Sequence, residues 1–324
     1  ESARCRPCYS LTVVSPLQSY DKTVKIWNVE TGECLSVLRD HKNGVLSVAY
    51  SPDGKQLATG GYDRTVKIWD ANSKVCVHTL ESYENWFRSV VYSPDGQKLA
   101  TGSDDGTVKV WNVASGRCEN ILKGHQKWVR SVAYSPDGQK LATGSDDGTA
   151  MIWNVNTEDC IHVLKEHENW VLSVAYSPDG RQLATGSYDK TIKIWSVNEG
   201  ECISTLEGHE NWVRSVAYSP DGKQLATGSY DKTVRFWAIE TGKCVRVLEG
   251  HNTGVRSIAY SPNGQRLATV SDDDIIQVWN VQTGRCIQII DERACAGLNI
   301  AGTVGLTVGQ RSALRVMGAV ERYC

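Results

Sequence analysis

Phenylalanine is almost missing from this chain, with two residues in 324 against 11 Trp and 13 Tyr. No charge of one sign dominates either: 35 Lys+Arg against 37 Asp+Glu leave a formal charge of −2. That balance excludes the broad basic surface expected of a nucleic-acid or anionic-lipid binder. No apolar run approaches the roughly 20 residues of a membrane-spanning helix. A Gly-x-x-x-x-Gly-Lys-Ser/Thr phosphate loop is absent from the sequence, which removes that route to nucleotide binding. The chain begins Glu1-Ser2-Ala3-Arg4-Cys5, with neither an initiator Met nor a charged-then-apolar signal. These absences give the expectation of a soluble, cytoplasmic chain, a fragment or processed form, with no nucleic-acid or membrane partner.

What is present is a repeat. Trp27, Trp69, Trp111, Trp153, Trp195, Trp237 and Trp279 stand 42 residues apart, and Cys34, Cys76, Cys118, Cys160, Cys202, Cys244 and Cys286 keep the same step. Ser-Pro-Asp-Gly recurs at 51, 93, 135, 177 and 219, and Ser-Pro-Asn-Gly at 261. A fixed period of this length marks a repeat architecture. Each unit parses into four short strands. In one of them Val129–Tyr134 alternates apolar and polar, Ser135-Pro136-Asp137-Gly138 forms a turn, and strands follow at Lys140–Ser145, 149–154 and 160–164. Four strands with no helical pattern between them give an all-β reading. Copies must stack around an axis, because one four-stranded sheet cannot bury both faces alone.

The units resemble WD repeats, with Gly124-His125 leading to Trp153-Asn154 and Gly208-His209 leading to Trp237; the Asp after Trp is kept only at Asp70. The resemblance covers roughly residues 19–290. It implies a seven-bladed β-propeller over residues 1–290, four antiparallel strands per blade. Residues 1–18 would form a degenerate start of the first blade, with a strand over 9–14 and Leu17 at the position of the repeated Thr. Residues 291–324 form a tail with a short helix over 307–317. That tail is similar to the C-terminal extension of bacterial, cyanobacterial-type multidomain WD-repeat proteins, many of which carry an N-terminal NACHT-type nucleotide-binding module.

His, Thr, Asp and Trp recur at fixed spacing: His41, Thr59, Asp63, Trp69; His125, Thr143, Asp147, Trp153; His167, Thr185, Asp189, Trp195; His209, Thr227, Asp231, Trp237; and His251, Thr269, Asp273, Trp279. A hydroxyl, an imidazole and a carboxylate imitate a catalytic triad. Five copies argue instead for structure, and the resemblance implies a buried hydrogen-bonded tetrad in each blade. No catalytic residue is therefore assigned. Tyr83 replaces His in the unit of Thr101, Asp105 and Trp111, so a looser loop or a Tyr–Asp105 bond is expected there. The seven repeated cysteines read as small buried hydrophobes, one per outer strand. Cys5-x-x-Cys8 has metal-ligand spacing and could meet Cys295 and Cys324, but no metal and no cofactor is expected.

Three further sets flank the tetrad. Trp86, Trp128, Trp170 and Trp212 precede the inner strand, with Gly44 and Gly254 in the same place. Arg88, Arg130, Arg214 and Arg256 follow two residues on, replaced by Leu46 and Leu172. Tyr20, Tyr62, Tyr188 and Tyr230 alternate with Asp104, Asp146 and Asp272 just before each turn Asp. The resemblance places all three sets on the top face, around the channel mouth. Trp, Tyr and Arg are enriched at binding hot spots, although Trp packing between blades under stacked Arg would use the same residues. The leading expectation is a non-enzymatic, monomeric scaffold or sensor that binds a protein or peptide through this face. Carbohydrate or small-ligand binding by the same ring is the alternative, and a purely architectural role of recently amplified repeats a further one.

Overall fold

The computed structural model describes residues 12–15, 22–28, 31–81 and 85–291, with backbone only at 12–15. Every described element is a strand or turn. Blade I, residues 45–81, shows the plan: β4 (Val45–Tyr50), β5 (Gln56–Gly61), β6 (Thr65–Asp70) and β7 (Cys76–Glu81) pair antiparallel in that order. Five more four-stranded blades follow at residues 87–123, 129–164, 171–206, 213–248 and 255–290, called II to VI.

The repeated turn explains the local geometry. Ser51 Oγ donates to Asp53 Oδ1 at 2.7 Å and accepts from the Gln56 amide at 2.9 Å, while Gly54 takes φ 69°. Only Gly adopts that left-handed φ without a steric cost. The β5–β6 type of turn also needs φ > 0 at its second Asp+1 position. Gly106 and Gly148 supply it in two blades, and Arg64, Lys190, Lys232 and Asp274 adopt it elsewhere.

The core lies between blades rather than inside them. Val66, Ile68 and Leu80 of blade I pack with Phe87, Val90, Leu99 and Trp111 of blade II, and the same combination recurs at each later junction. Glycine makes this approach possible. A Cβ on Gly60, Gly102, Gly144, Gly186 or Gly228 would stand 2.7–2.9 Å from a Val side chain of the next blade. The inner strands are also tied directly. Ser47, Ser89, Ser131, Ser173 and Ser215 accept, at 3.0–3.2 Å, the backbone N–H of residues 90, 132, 174, 216 and 258 in the following blade.

Among the described residues the expected seven blades are corrected to six complete ones. The remaining strands, β1 (Thr12–Ser15), β2 (Thr23–Asn28) and β3 (Cys34–Arg39), form a three-stranded sheet. Trp27 packs with Ala268, Val270 and Val278 of blade VI, and Val24, Ile26 and Leu38 pack with Val45, Leu57 and Trp69 of blade I. Blade VI differs at its junction with this sheet: where the other blades carry Gly against the next inner strand, it carries Val270, buried and packed with Trp27. The residues preceding β1 lie outside the described ones. Within the sheet, β1 pairs Ser15 with Lys25, the register that Thr59 and Lys67 keep in blade I. Ser15 therefore holds the backbone position expected for Leu17, which lies outside the described residues, as do residues 9–11 of the expected strand. The tail from 292 onward, with its expected helix, also lies outside them.

Candidate functional site

The tetrads are built from the blade outward. In blade I, Trp69 Nε1 donates to Thr59 Oγ1 (2.9 Å), Thr59 Oγ1 contacts His41 Nε2 (2.7 Å), and His41 Nδ1 contacts Asp63 Oδ2 (2.8 Å). A carboxylate only accepts, so the proton sits on Nδ1 and the Thr hydroxyl donates to Nε2. Blades III, IV and V repeat the chain, with Trp–Thr bonds of 2.9–3.0 Å and His–Asp bonds of 2.7–2.8 Å. Burial opposes ionisation of Asp63. The hydrogen bonds from His41 and from the Thr65 hydroxyl outweigh it and hold the carboxyl down at about 2. Asp147, Asp189 and Asp231 are depressed in the same way by His125, His167 and His209 against the same burial cost. The Thr hydroxyls are fully buried, out of reach of any substrate.

Two blades depart. In blade II, Trp111 still donates to Thr101 (2.9 Å), and Asn85 Nδ2 donates to Asp105 (2.6 Å); Tyr83 lies outside the described residues. In blade VI, Trp279 and His251 both reach Thr269, at 2.9 and 2.6 Å, but His251 Nδ1 is buried without a partner. Asp273 turns instead to Ser271 Oγ (2.5 Å) and the contact is lost. The sequence holds the cause. The Thr that steadies this Asp elsewhere, such as Thr65 at 2.8 Å or Thr149 at 2.7 Å, is Ile275 here. Burial accordingly pushes the His251 imidazole down to about 4.

The repeated cysteines are free, and the expectation that they are buried is corrected: Cys34, Cys118, Cys160, Cys244 and Cys286 are exposed and Cys76 and Cys202 half-buried. The outer strand has no sheet or blade beyond it, so only its inward Leu or Ile is covered. Among the described residues no cluster of His, Cys, Asp and Glu could hold a metal, and no helix is long and apolar enough to cross a membrane. Cys5, Cys8, Cys295 and Cys324 lie outside the described residues.

The flanking sets come together as a continuous belt. Tyr62 meets Trp86 edge-on with centroids 4.9 Å apart. The Arg88 guanidinium lies 5.7 Å from the Trp86 ring and 4.1 Å from Trp128, and Arg130 lies 4.9 Å from Trp128 and 5.4 Å from Trp170. Trp170 then meets Tyr188 (5.0 Å), Tyr188 stacks on Trp212 (3.9 Å), and Trp212 stacks on Tyr230 (4.8 Å). The belt ends at Gly254, whose missing Cβ would sit 2.5 Å from the Tyr230 ring. Trp128, Trp170 and Tyr230 remain 39%, 37% and 38% exposed. Tyr20 lies outside the described residues.

The variation around the ring is largely compensated. Arg130 makes a bidentate pair with Asp146 (2.6 and 2.7 Å), and Arg256 pairs with Asp272 through Nε (2.7 Å) and Nη2 (2.6 Å). Blades I and IV put Leu and Tyr at the same two places. Blades II and V break the rule. Asp104, which could face Arg88, accepts the Trp86 backbone N–H instead (3.0 Å), and Arg214 is matched with Tyr230. Burial pulls both guanidiniums below their ordinary range, and the charges of Arg130 and Arg256 add to it. This Arg/Asp against Leu/Tyr covariation is a sequence signal that inspection of each set separately misses. All four arginines line one central cavity of about 290 Å³.

Comparison with known proteins agrees with this architecture. A model described as the IFT122 first beta-propeller matches residues 86–198 and 170–297, together more than half of the chain, and a model of the WD domain, G-beta repeat, matches residues 32–70. Coronin-7 of Mus musculus is 54% identical over 41 residues, 13% of this chain and 4% of that protein. The F-box-like/WD repeat-containing protein TBL1X of Mus musculus is 54% identical over 37 residues, 11% of this chain and 7% of that protein. Each match is about one repeat long, and the chain spans less than a tenth of either relative. With the 42-residue period, the four-stranded blades and their Trp–Thr–His–Asp networks, these matches show that the chain belongs to the WD-repeat β-propeller family.

Proposed function

We propose that this propeller is a non-enzymatic interaction module that binds a protein or peptide through its top face. The observation that carries the reading is the belt from Tyr62 to Tyr230, which presents exposed Trp128, Trp170 and Tyr230 beside the arginine-lined cavity. Stiff aromatic side chains of this kind provide contact area at low entropic cost. The neighbouring three-stranded sheet, packed on blades VI and I, joins the two ends of the six-blade series.

Carbohydrate binding draws on the same tryptophans and is less well supported. Sugar stacking needs a free ring face, whereas Trp128 lies between Arg88 and Arg130 and Trp212 between Tyr188 and Tyr230. The test is to pan a random peptide library against the protein. Peptides enriched on the wild type are expected to bind a Trp128→Ala, Trp170→Ala, Tyr230→Ala triple variant at least about tenfold more weakly, the scale of a hot-spot loss. Equal binding by the folded variant, or no enrichment at all, would overturn the reading.

A further inference from the structure

Among the described residues the central cavity is lined by four arginines, six serines and four aliphatic side chains, and by no carboxylate. Its polar lining is therefore made of donors. Guanidinium groups only donate, and a serine hydroxyl that accepts one backbone bond still has a proton to give. Two of the cations are neutralised in place, Arg130 by Asp146 and Arg256 by Asp272. Arg88 and Arg214 have no carboxylate at ion-pair distance among the described residues, and Arg88 Nε is buried without a hydrogen-bond partner. The reasons are structural and local: Asp104 is committed to the Trp86 amide, and blade V carries Tyr230 where an acid would stand. A desolvated cation without a carboxylate in direct contact is unfavourable, and two of them face one cavity beside two already paired neighbours.

We propose that this cavity is an oxyanion site in which Arg88 and Arg214 supply the counter-charges and the channel serines further donors. The group that enters is a carboxylate or phosphate carried by the partner of the top face, so the proposal rests on the reading above. Guanidinium recognises both oxyanions through paired N–H donors, and the serine ring suits either.

The test is a thermal melt of the full chain at low ionic strength, where screening is weakest. Inorganic phosphate and glutarate are titrated separately, each against sodium chloride at matched ionic strength. The wild type is expected to show a saturable rise in melting temperature with at least one probe, as ligand binding to the folded state requires. An Arg88→Met, Arg214→Met variant is expected to lose that rise while being no less stable without anion, and Lys190→Met, a cation outside the cavity, to keep it. A response to glutarate alone assigns the site to carboxylates, and one to phosphate alone to phosphate groups. No rise with either probe, or an undiminished rise in the double variant, overturns the proposal. Should the double variant not fold, Arg214→Met alone is read the same way. Failure here with peptide capture intact removes only the oxyanion site. Loss of capture with an intact anion response removes the partner reading and leaves the site.

Discussion

Replacing Thr143 by Val keeps the shape of a fully buried side chain and removes one hydroxyl. That hydroxyl accepts from Trp153 Nε1 at 3.0 Å and bonds His125 Nε2 at 2.6 Å. Without it two buried polar atoms are stranded, each at a cost of about 1–3 kcal/mol, so the expected loss is about 2–6 kcal/mol. Thr101 supplies an internal control. It accepts from Trp111 Nε1 at 2.9 Å in the blade whose sequence has no tetrad His, so Thr101→Val strands one indole N–H and should cost about 1–3 kcal/mol. The difference of about 1–3 kcal/mol isolates the imidazole. Repeat proteins open locally, so the measurement is native-state hydrogen exchange on the amides of Lys140–Ser145 and Lys98–Ser103 rather than one global melt. Equal losses in the two blades, or a larger loss for Thr101→Val, would refute the claim that the His link stabilises the blade.

Two further outcomes follow from the same geometry. His251 titrates at about 4 folded against 6.5 ordinarily. Between those values the unfolded chain binds the proton and the folded chain does not, so blade VI keeps this stability above pH 6.5 and loses it as pH falls towards 4, about 3 kcal/mol in all. Protection of the Arg266–Ser271 amides, corrected for the intrinsic exchange rate, should therefore fall between pH 7 and 5, and His251→Gln should remove that dependence. Blade I, whose Asp63 is held at about 2, should lose its share only as pH falls from the ordinary carboxylate range near 4 towards 2. Second, Gly228→Val places a Cβ 2.7 Å from Val255 and 3.0 Å from Ile258, and overpacking of this kind should cost about 1–3 kcal/mol or more, seen as a lower urea midpoint. The reverse change, Val270→Gly, should instead open a void beside Trp27.

Much of the molecule was legible from the period alone. A Trp, Thr, His and Asp at constant offsets can meet only if each unit folds alike, and five of them do bring Thr to both Trp and His. The failure of the His251–Asp273 link was also written locally, in Ile275 where Thr should be. The cysteines were misjudged because a period says that positions are equivalent and not which side of a strand has a neighbour. Outer-strand alternation looks the same whether or not another layer covers it. The blade count failed for a related reason. Counting tryptophans counts third strands, and the strand of Trp27 lies in a sheet of three described strands rather than four.

The sequence by itself determined the strand order, the turn geometry and the repeated hydrogen-bonded tetrads, because these depend on contacts within about 40 residues that recur in every unit. Tertiary structure alone decided the aromatic belt, the shared cavity and the identity of the unneutralised cations. Those features arise between blades: whether Arg88 rests on Trp128, or Asp104 turns to a backbone amide instead of to Arg88, depends on a competition among neighbours that the linear spacing does not contain.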